Sequence, residues 1–227
     1  MIRPAESGPT SDLDTGYAAA LRAELRALWL DVLKQRAPNV AQRIQSGAPW
    51  TLTNPNSAIP YLQAHNIWFQ LLKIIDENAA IRDRRNAETK DGPQAVEGSF
   101  ALTLQRDAAL ATPDRLSEVL QNLSIGPTLT AHPTEAKRVT ILEIHRRIYR
   151  GLVSLEEKRW TPRERAELLE DLRSEIDLLW LTGELRRERP SLNDEIQWGL
   201  QFFRDSLFDA VPQLFDRFIA ATSTITG

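Results

Sequence analysis

The sequence predicts a mainly α-helical protein, built from long amphipathic helices with at most one short β-strand near residues 127–131. Apolar residues recur every three or four positions through most of the 227 residues, which is the period of helices that bury one face. Thr-Pro pairs stand where such patterns begin, as in Thr112-Pro113 and Thr161-Pro162. A short run of small and β-branched residues follows Gly126-Pro127, and it is too short for a helix.

The first predicted helix runs from about Thr15 to Ala37. Its apolar residues share one face and are Tyr17, Leu21, Leu25, Leu28, Trp29, Val32 and Leu33. Pro38 ends it, and a short helix from Val40 to Ser46 stops at Gly47. Residues 49–56 then predict a loop.

A second long helix is predicted with Ser57 as its N-cap and Pro60 in its first turn. Its apolar stripe comprises Leu62, Trp68, Phe69, Leu72, Ile75 and Ala79, and its charged second half faces water. We interpret His65 as a partly buried structural histidine, because no Asp, Glu or His follows four residues later to form a metal pair.

Asp91-Gly92-Pro93 interrupts the pattern, and residues 99–110 carry a weaker helical signal. Thr112 and Pro113 then suit an N-cap and a first helical position, ahead of a helix with Leu116, Val119, Leu120 and Leu123.

Later in the chain, Val139 to Leu152 have helical periodicity, with His145 on the apolar face as a hydrogen-bonded core histidine. Thr161-Pro162-Arg163-Glu164 forms a capping-box pattern, followed by a helix that could reach Glu188. Ser191 and Asp194 predict another helix start. Its stripe is Ile196, Leu200, Phe203, Leu207 and Val211, and Pro212 should kink or restart it before Phe215, Phe218 and Ile219.

The amino-acid composition limits the classes of protein to which this chain can belong. With 42% hydrophobic residues, 26% charged residues and a net charge of −3, the chain fits a soluble globular protein. We expect residues 1–12 to be disordered and residues 13–227 to form one helical region, without a signal peptide or membrane span. The absence of cysteine agrees with a cytoplasmic location, and the acidic balance disfavours nucleic-acid binding.

One motif contains the residues that are the strongest candidates for a functional site. It is Pro127-Thr128-Leu129-Thr130-Ala131-His132-Pro133-Thr134-Glu135. Proline at 133 favours extended backbone at His132, where the predicted strand stops, and also suits the first position of a following helix. Free amides and a titratable ring would therefore converge where anions are often bound. A structural capping histidine is the commoner identity for such a residue, and the pattern alone leaves both open.

The string from Leu129 to Glu135, continued by Lys137-Arg138, resembles the active-site histidine motif of the phosphoenolpyruvate carboxylase family. A second block is similar to a later stretch of that family: Leu185-Arg186-Arg187-Glu188-Arg189-Pro190-Ser191, then Asp194-Glu195, Trp198-Gly199, Ser206-Leu207 and Val211-Pro212. The family often has two adjacent basic residues after the motif, whereas Val139 follows Arg138 here. The resemblance covers residues 120–218.

The resemblance implies carboxylation of phosphoenolpyruvate by bicarbonate to oxaloacetate and phosphate, an anaplerotic reaction that feeds the tricarboxylic acid cycle and uses Mg²⁺. His132 would be the catalytic residue, taking a proton from carboxyphosphate. Thr130, Pro133, Thr134 and Glu135 would hold its ring in place, and Arg138 would add positive charge. The family also implies a cytoplasmic homotetramer and an α/β barrel in the complete enzyme.

Family members are several times longer than this chain, and the resemblance places their phosphate-binding loops, metal ligands and catalytic lysine on later segments. We therefore expect an amino-terminal portion of such an enzyme, inactive alone, whose partner is the remainder of the same polypeptide. Two alternatives remain: a stand-alone helical protein-interaction module without catalysis, and a helical nucleic-acid-binding domain.

Overall fold

The structure is a computed structural model that describes residues 16–47, 55–106, 112–124, 139–156, 159–182 and 191–226. Within these ranges 90% of the residues are helical and none lies in a strand, so the prediction of a mainly α protein is confirmed. The short strand predicted at 127–131 and the disorder predicted for residues 1–12 lie outside the described residues.

The described helices follow one another along the chain. A 3₁₀ turn at Pro93–Ala95 follows the third, and a π-helical turn at Phe203–Leu207 joins the last two. The α-helices are α1 Tyr17–Arg36, α2 Pro38–Ser46, α3 Pro55–Asp91, α4 Phe100–Arg106, α5 Pro113–Asn122, α6 Val139–Leu155, α7 Pro162–Leu181, α8 Leu192–Phe202 and α9 Phe208–Thr226.

The chain divides into two compact units. The first comprises Met1–Ile81 with Lys137–Arg186, and the second comprises Arg82–Ala136 with Arg187–Gly227. The large hydrophobic core lies in the first unit and takes its side chains from α1, α2, α3, α6 and α7.

Helix α1 confirms its predicted stripe, since Leu25 and Leu33 are fully buried and Trp29 is nearly so. Proline at 38 begins α2 directly, two residues earlier than predicted, because its missing N–H and fixed φ suit a first helical position. Gly47 ends α2 with a φ of 65°, a left-handed conformation in which glycine carries no steric penalty.

Helix α3 corrects two details of the prediction. It begins at Pro55, so Ser57 is not its N-cap and Pro60 lies inside the helix. Its buried face is the predicted one only in part, because Ile75 and Ala79 are buried whereas Leu62 and Phe69 are each 64% exposed. The side chains that pack inward are Ala64, Ile67, Leu71, Ile74, Ile75 and Ala79. Apolar residues lie on several sides of this helix, so periodicity alone does not determine which side packs.

Helices α6 and α7 pack closely in the first unit. The buried side chains of α6 are Ile141, Ile144, Ile148 and Leu152, and those of α7 are Leu172, Ile176 and Leu179. Gly151 of α6 faces Leu172, and a Cβ built on this glycine would lie only 2.6 Å from Leu172 Cδ2. The glycine thus lets the two helices approach more closely than an alanine would.

The start of α7 has the predicted capping box. Thr161 Oγ1 accepts a hydrogen bond from the backbone N–H of Glu164 at 3.3 Å, and the Glu164 carboxylate accepts one from the backbone N–H of Thr161 at 2.8 Å. Two otherwise unsatisfied amides are therefore bonded at this helix start.

In the second unit, α4 packs on α9 through Phe100 and Phe218, whose ring centroids lie 5.1 Å apart at 81°. Helix α9 restarts at Phe208 after the π-helical turn, four residues before Pro212. Pro212 itself lies inside α9, so the helix does not restart at Pro212 as the sequence allowed. None of the helices in the described ranges is long and apolar enough to cross a membrane.

Candidate functional site

The predicted catalytic residue His132 and its supporting residues Thr130, Pro133, Thr134, Glu135 and Arg138 all lie outside the described residues. What the structure does describe is the chain on either side. Helix α5 ends at Asn122, and α6 begins at Val139, directly after the motif. The roles assigned to these residues stay predictions.

The helix that follows the motif is firmly packed near its start. Ile141 and Ile144, in the first two turns of α6, are 2% and 0% exposed. The start of α6 is therefore held against the core of the first unit.

His145 adds a polar link to this packing. Its Nε2 lies 2.6 Å from Oε1 of Gln70 on α3, and Gln70 is a buried polar residue. The hydrogen bond satisfies a buried amide between two core helices. The predicted hydrogen bond of His145 is confirmed, and the side chain itself is half-buried at the edge of the apolar face.

His65 has a similar structural role. Its Nδ1 lies 2.9 Å from the Tyr61 carbonyl oxygen one turn earlier, and its ring centroid lies 4.2 Å from that of Tyr61. The side chain is half-buried, as predicted.

Two arginines of α6, Arg146 and Arg147, each pair with a glutamate. Arg147 donates two hydrogen bonds to the Glu175 carboxylate of α7, at 2.6 and 2.9 Å, and Arg146 donates one to Glu143 at 2.8 Å. Hydrogen bonding to Glu175 raises the pKa of the Arg147 guanidinium, against the opposing effect of desolvation. The contact between Arg147 and Glu175 joins α6 to α7, whereas the contact between Arg146 and Glu143 lies within α6.

On the other side of the motif, α5 carries an open surface depression of about 310 Å³, lined by Arg115, Glu118, Val119, Asn122 and Leu123. Arg115 Nη1 lies 2.6 Å from Glu118 Oε2. Its positive charge is therefore offset within the depression, which does not present an anion site.

The resemblance to the carboxylase family implies Mg²⁺, which is bound by oxygen ligands such as carboxylates. Within the described ranges, no three His, Asp or Glu side chains converge as metal ligands. The described residues therefore do not fit a magnesium site.

Comparison with known proteins supplies the identity that the described geometry does not. The family model for phosphoenolpyruvate carboxylase matches residues 18–226. A phosphoenolpyruvate carboxylase of Methylorubrum extorquens is 40% identical over 225 residues, which cover 94% of this chain and 24% of the relative. A phosphoenolpyruvate carboxylase of Rhodothermus marinus is 32% identical, with 68% of this chain and 17% of the relative covered. Phosphoenolpyruvate carboxylase 3 of Sorghum bicolor is 31% identical, with 79% and 19% covered. The chain thus spans at most about a quarter of the length of these curated relatives.

Proposed function

This chain belongs to the phosphoenolpyruvate carboxylase family and corresponds to an amino-terminal portion of it, and we propose from that premise that it acts as part of a longer enzyme. The complete polypeptide would carboxylate phosphoenolpyruvate with bicarbonate, giving oxaloacetate and phosphate. The observation that carries the proposal is the family match over residues 18–226, which includes the histidine motif. Residues 1–227 alone would not turn over substrate.

In this proposal His132 is the catalytic base that takes a proton from carboxyphosphate, so that CO2 is released beside the enolate of pyruvate. A neutral imidazole suits this task, because its ordinary pKa of about 6.5 lies near physiological pH. Thr130, Pro133, Thr134 and Glu135 position the ring, and Arg138 contributes positive charge. The packing of α6 supports such positioning, since the helix that follows the motif is anchored from Ile141 onward.

The remaining parts of the proposal come from family membership. Mg²⁺ would be held by ligands outside this chain, and the complete polypeptides would form a homotetramer. The enzyme would be cytoplasmic and would supply oxaloacetate to the tricarboxylic acid cycle.

The catalytic role is tested by His132→Asn in the complete polypeptide, with oxaloacetate formation as the readout and circular dichroism as the check on folding. We expect loss of carboxylation with an unchanged fold. His65→Asn is the matched control, because His65 contacts Tyr61 within α3 and should leave activity intact. Near-normal carboxylation by His132→Asn would refute the role of His132.

A stand-alone interaction module without catalysis is the second candidate, in which the exposed apolar side chains of α8 and α9 would bind a separate partner. An antibody raised against residues 1–227 separates the two on a denaturing gel of cell extract. A band several times heavier than 25.7 kDa supports the longer enzyme, whereas a band at 25.7 kDa supports the module.

A further inference from the structure

Among the described residues of α3, two buried side chains are polar, and each is bonded to another helix of the first unit. Asn78 is 3% exposed, and its Oδ1 accepts a hydrogen bond from the Tyr17 hydroxyl of α1 at 2.9 Å. Gln70 is 8% exposed, and its Oε1 lies 2.6 Å from Nε2 of His145 on α6. A buried amide that loses its partner costs free energy, so both bonds restrict how the neighbouring helix sits against α3.

The bond between His145 and Gln70 holds in either protonation state of the imidazole. An amide oxygen only accepts hydrogen bonds, so Nε2 of His145 carries the proton that it donates. Nε2 is protonated in the imidazolium and in one neutral tautomer, and the ring therefore keeps this donor when its other nitrogen titrates. The bond is suited to holding a position and not to sensing pH.

This bond fixes what the apolar contacts of α6 leave free. Ile141, Ile144 and Ile148 are held by burial, which has no direction and tolerates a small rotation or slide of the helix. A hydrogen bond depends on both distance and angle, so a buried polar pair can specify one register between two helices. His145 lies one turn after Ile141, so the register is fixed close to the start of α6.

The start of α6 follows the histidine motif directly. Val139 begins the helix immediately after Arg138, and His132 precedes Val139 by seven residues. Seven residues span at most about 25 Å, and the proline among them, Pro133, has a fixed φ. A displacement of Val139 therefore displaces the short piece of chain that carries His132.

We propose that Gln70 and His145 are positioning residues for carboxylation, which hold His132 in place by fixing α6 against α3. Neither residue is assigned a contact with substrate. The inference rests on the proposed function, in which His132 is the catalytic base.

Steady-state kinetics of the complete polypeptide test this role. His145→Leu and Gln70→Leu each remove the bond and keep the apolar contacts of α6. Misplacing a reacting group by about 1 Å can lower a rate about 100-fold, and loss of this single bond should lower kcat about tenfold. The KM for phosphoenolpyruvate should stay within about twofold of that of the parent, because the proposed function places the phosphate-binding loops on later segments.

The double variant separates positioning from stability. Two leucines leave no buried amide without a partner, so His145→Leu with Gln70→Leu should regain part of the stability that each single variant loses. The leucines restore no directional bond, so kcat should stay about tenfold below that of the parent. A kcat that recovers together with the stability overturns the proposal, because the bond would then act only on folding.

Tyr17→Phe is the matched control. It removes the hydrogen bond to the other buried amide of α3, Asn78, but that bond leads to α1 and not to the helix after the motif. Stability should fall, and kcat should stay within about twofold of that of the parent. All rates are measured at a temperature at which circular dichroism shows every variant fully folded. A loss of kcat in Tyr17→Phe equal to that in His145→Leu overturns the proposal, since any weakening of α3 would then have the same effect.

The parent and His132→Asn separate this inference from the proposed function. If the parent carboxylates phosphoenolpyruvate, His132→Asn is inactive and both leucine variants keep the parental kcat, the proposed function stands and the positioning role is overturned. If the parent does not carboxylate, or His132→Asn keeps the parental activity, the proposed function fails and the positioning role fails with it.

Discussion

The contact between α6 and α7 at Gly151 allows a direct test of the helix packing in the first unit. A methyl group added at Gly151 of α6 would lie 2.6 Å from Cδ2 and 3.1 Å from Cγ of Leu172 on α7. Carbon atoms in favourable contact lie about 3.5–4.0 Å apart. Leu172 is 2% exposed, so its side chain cannot turn into solvent to make room. Gly151→Ala should therefore overpack the interface between α6 and α7.

Two opposing terms set the size of the effect. Overpacking a core costs about 1–3 kcal/mol, whereas alanine is favoured over glycine inside a helix by about 1 kcal/mol. The net loss in the free energy of unfolding for Gly151→Ala should thus be about 0–2 kcal/mol. In a Leu172→Ala background the obstructing atoms are absent, and the same substitution should stabilise by up to about 1 kcal/mol. The coupling between the two sites is then about 1–3 kcal/mol.

A double-mutant cycle measures this coupling. The free energy of unfolding is determined by urea titration with far-ultraviolet circular dichroism for the parent, the two single variants and the double variant. Gly199→Ala is the matched control, because a Cβ built there has no atom within 4 Å. It should stabilise by about 0.5–1 kcal/mol whether residue 172 is Leu or Ala. A coupling within about 0.5 kcal/mol of zero for Gly151 and Leu172 would refute the close approach of the two helices.

Three further predictions follow from hydrogen bonds in the first unit. Thr161→Ala should lower the free energy of unfolding by about 1 kcal/mol in urea titrations, while Thr161→Ser should retain most of it, since the hydroxyl still caps α7. His145→Leu should lower the free energy of unfolding by about 1–3 kcal/mol, because it removes the hydrogen bond to buried Gln70. The double variant His145→Leu with Gln70→Leu should recover part of this loss. If it recovers none, the hydrogen bond is unimportant for stability. Hydrogen bonds from Arg36 hold the pKa of the Asp177 carboxyl below its ordinary value. The stabilisation is complete above the unfolded pKa of about 3.9 and is lost as the pH falls through the folded pKa, so Asp177→Asn should flatten the acid limb of stability against pH.

The cap at the start of α7 and the buried face of α1 were predictable from the sequence, whereas the buried face of α3 was predicted only in part. The start of α7 depends on four consecutive residues whose side chains bond each other, and the structure contains that capping box as predicted. The buried face of α3 depends instead on which helices pack against it. Leu62 and Phe69 fit the helical period but are exposed, because α3 carries apolar residues on more than one side.

The same division applies to the histidines. Apolar neighbours on α6 predicted that His145 is structural, but its partner Gln70 lies 75 residues away in the sequence, and no local pattern could indicate it. His132 was identified from its motif and from the resemblance of that motif to a family. The family model matches residues 18–226, which shows that the chain belongs to this family. The role of His132 depends on atoms that the proposed function places largely in the rest of the polypeptide, so it stays a prediction.

The contact between α1 and α7 has a consequence for biosynthesis. Arg36 pairs with Asp177, and Glu24 with Arg165, each across 141 residues of sequence. At about 5–20 residues per second, a ribosome needs about 7–28 s to make the intervening chain. During that time the apolar stripe of α1 has no α7 to cover it. The nascent chain is therefore exposed to aggregation, and we expect chaperones to bind it before α7 emerges.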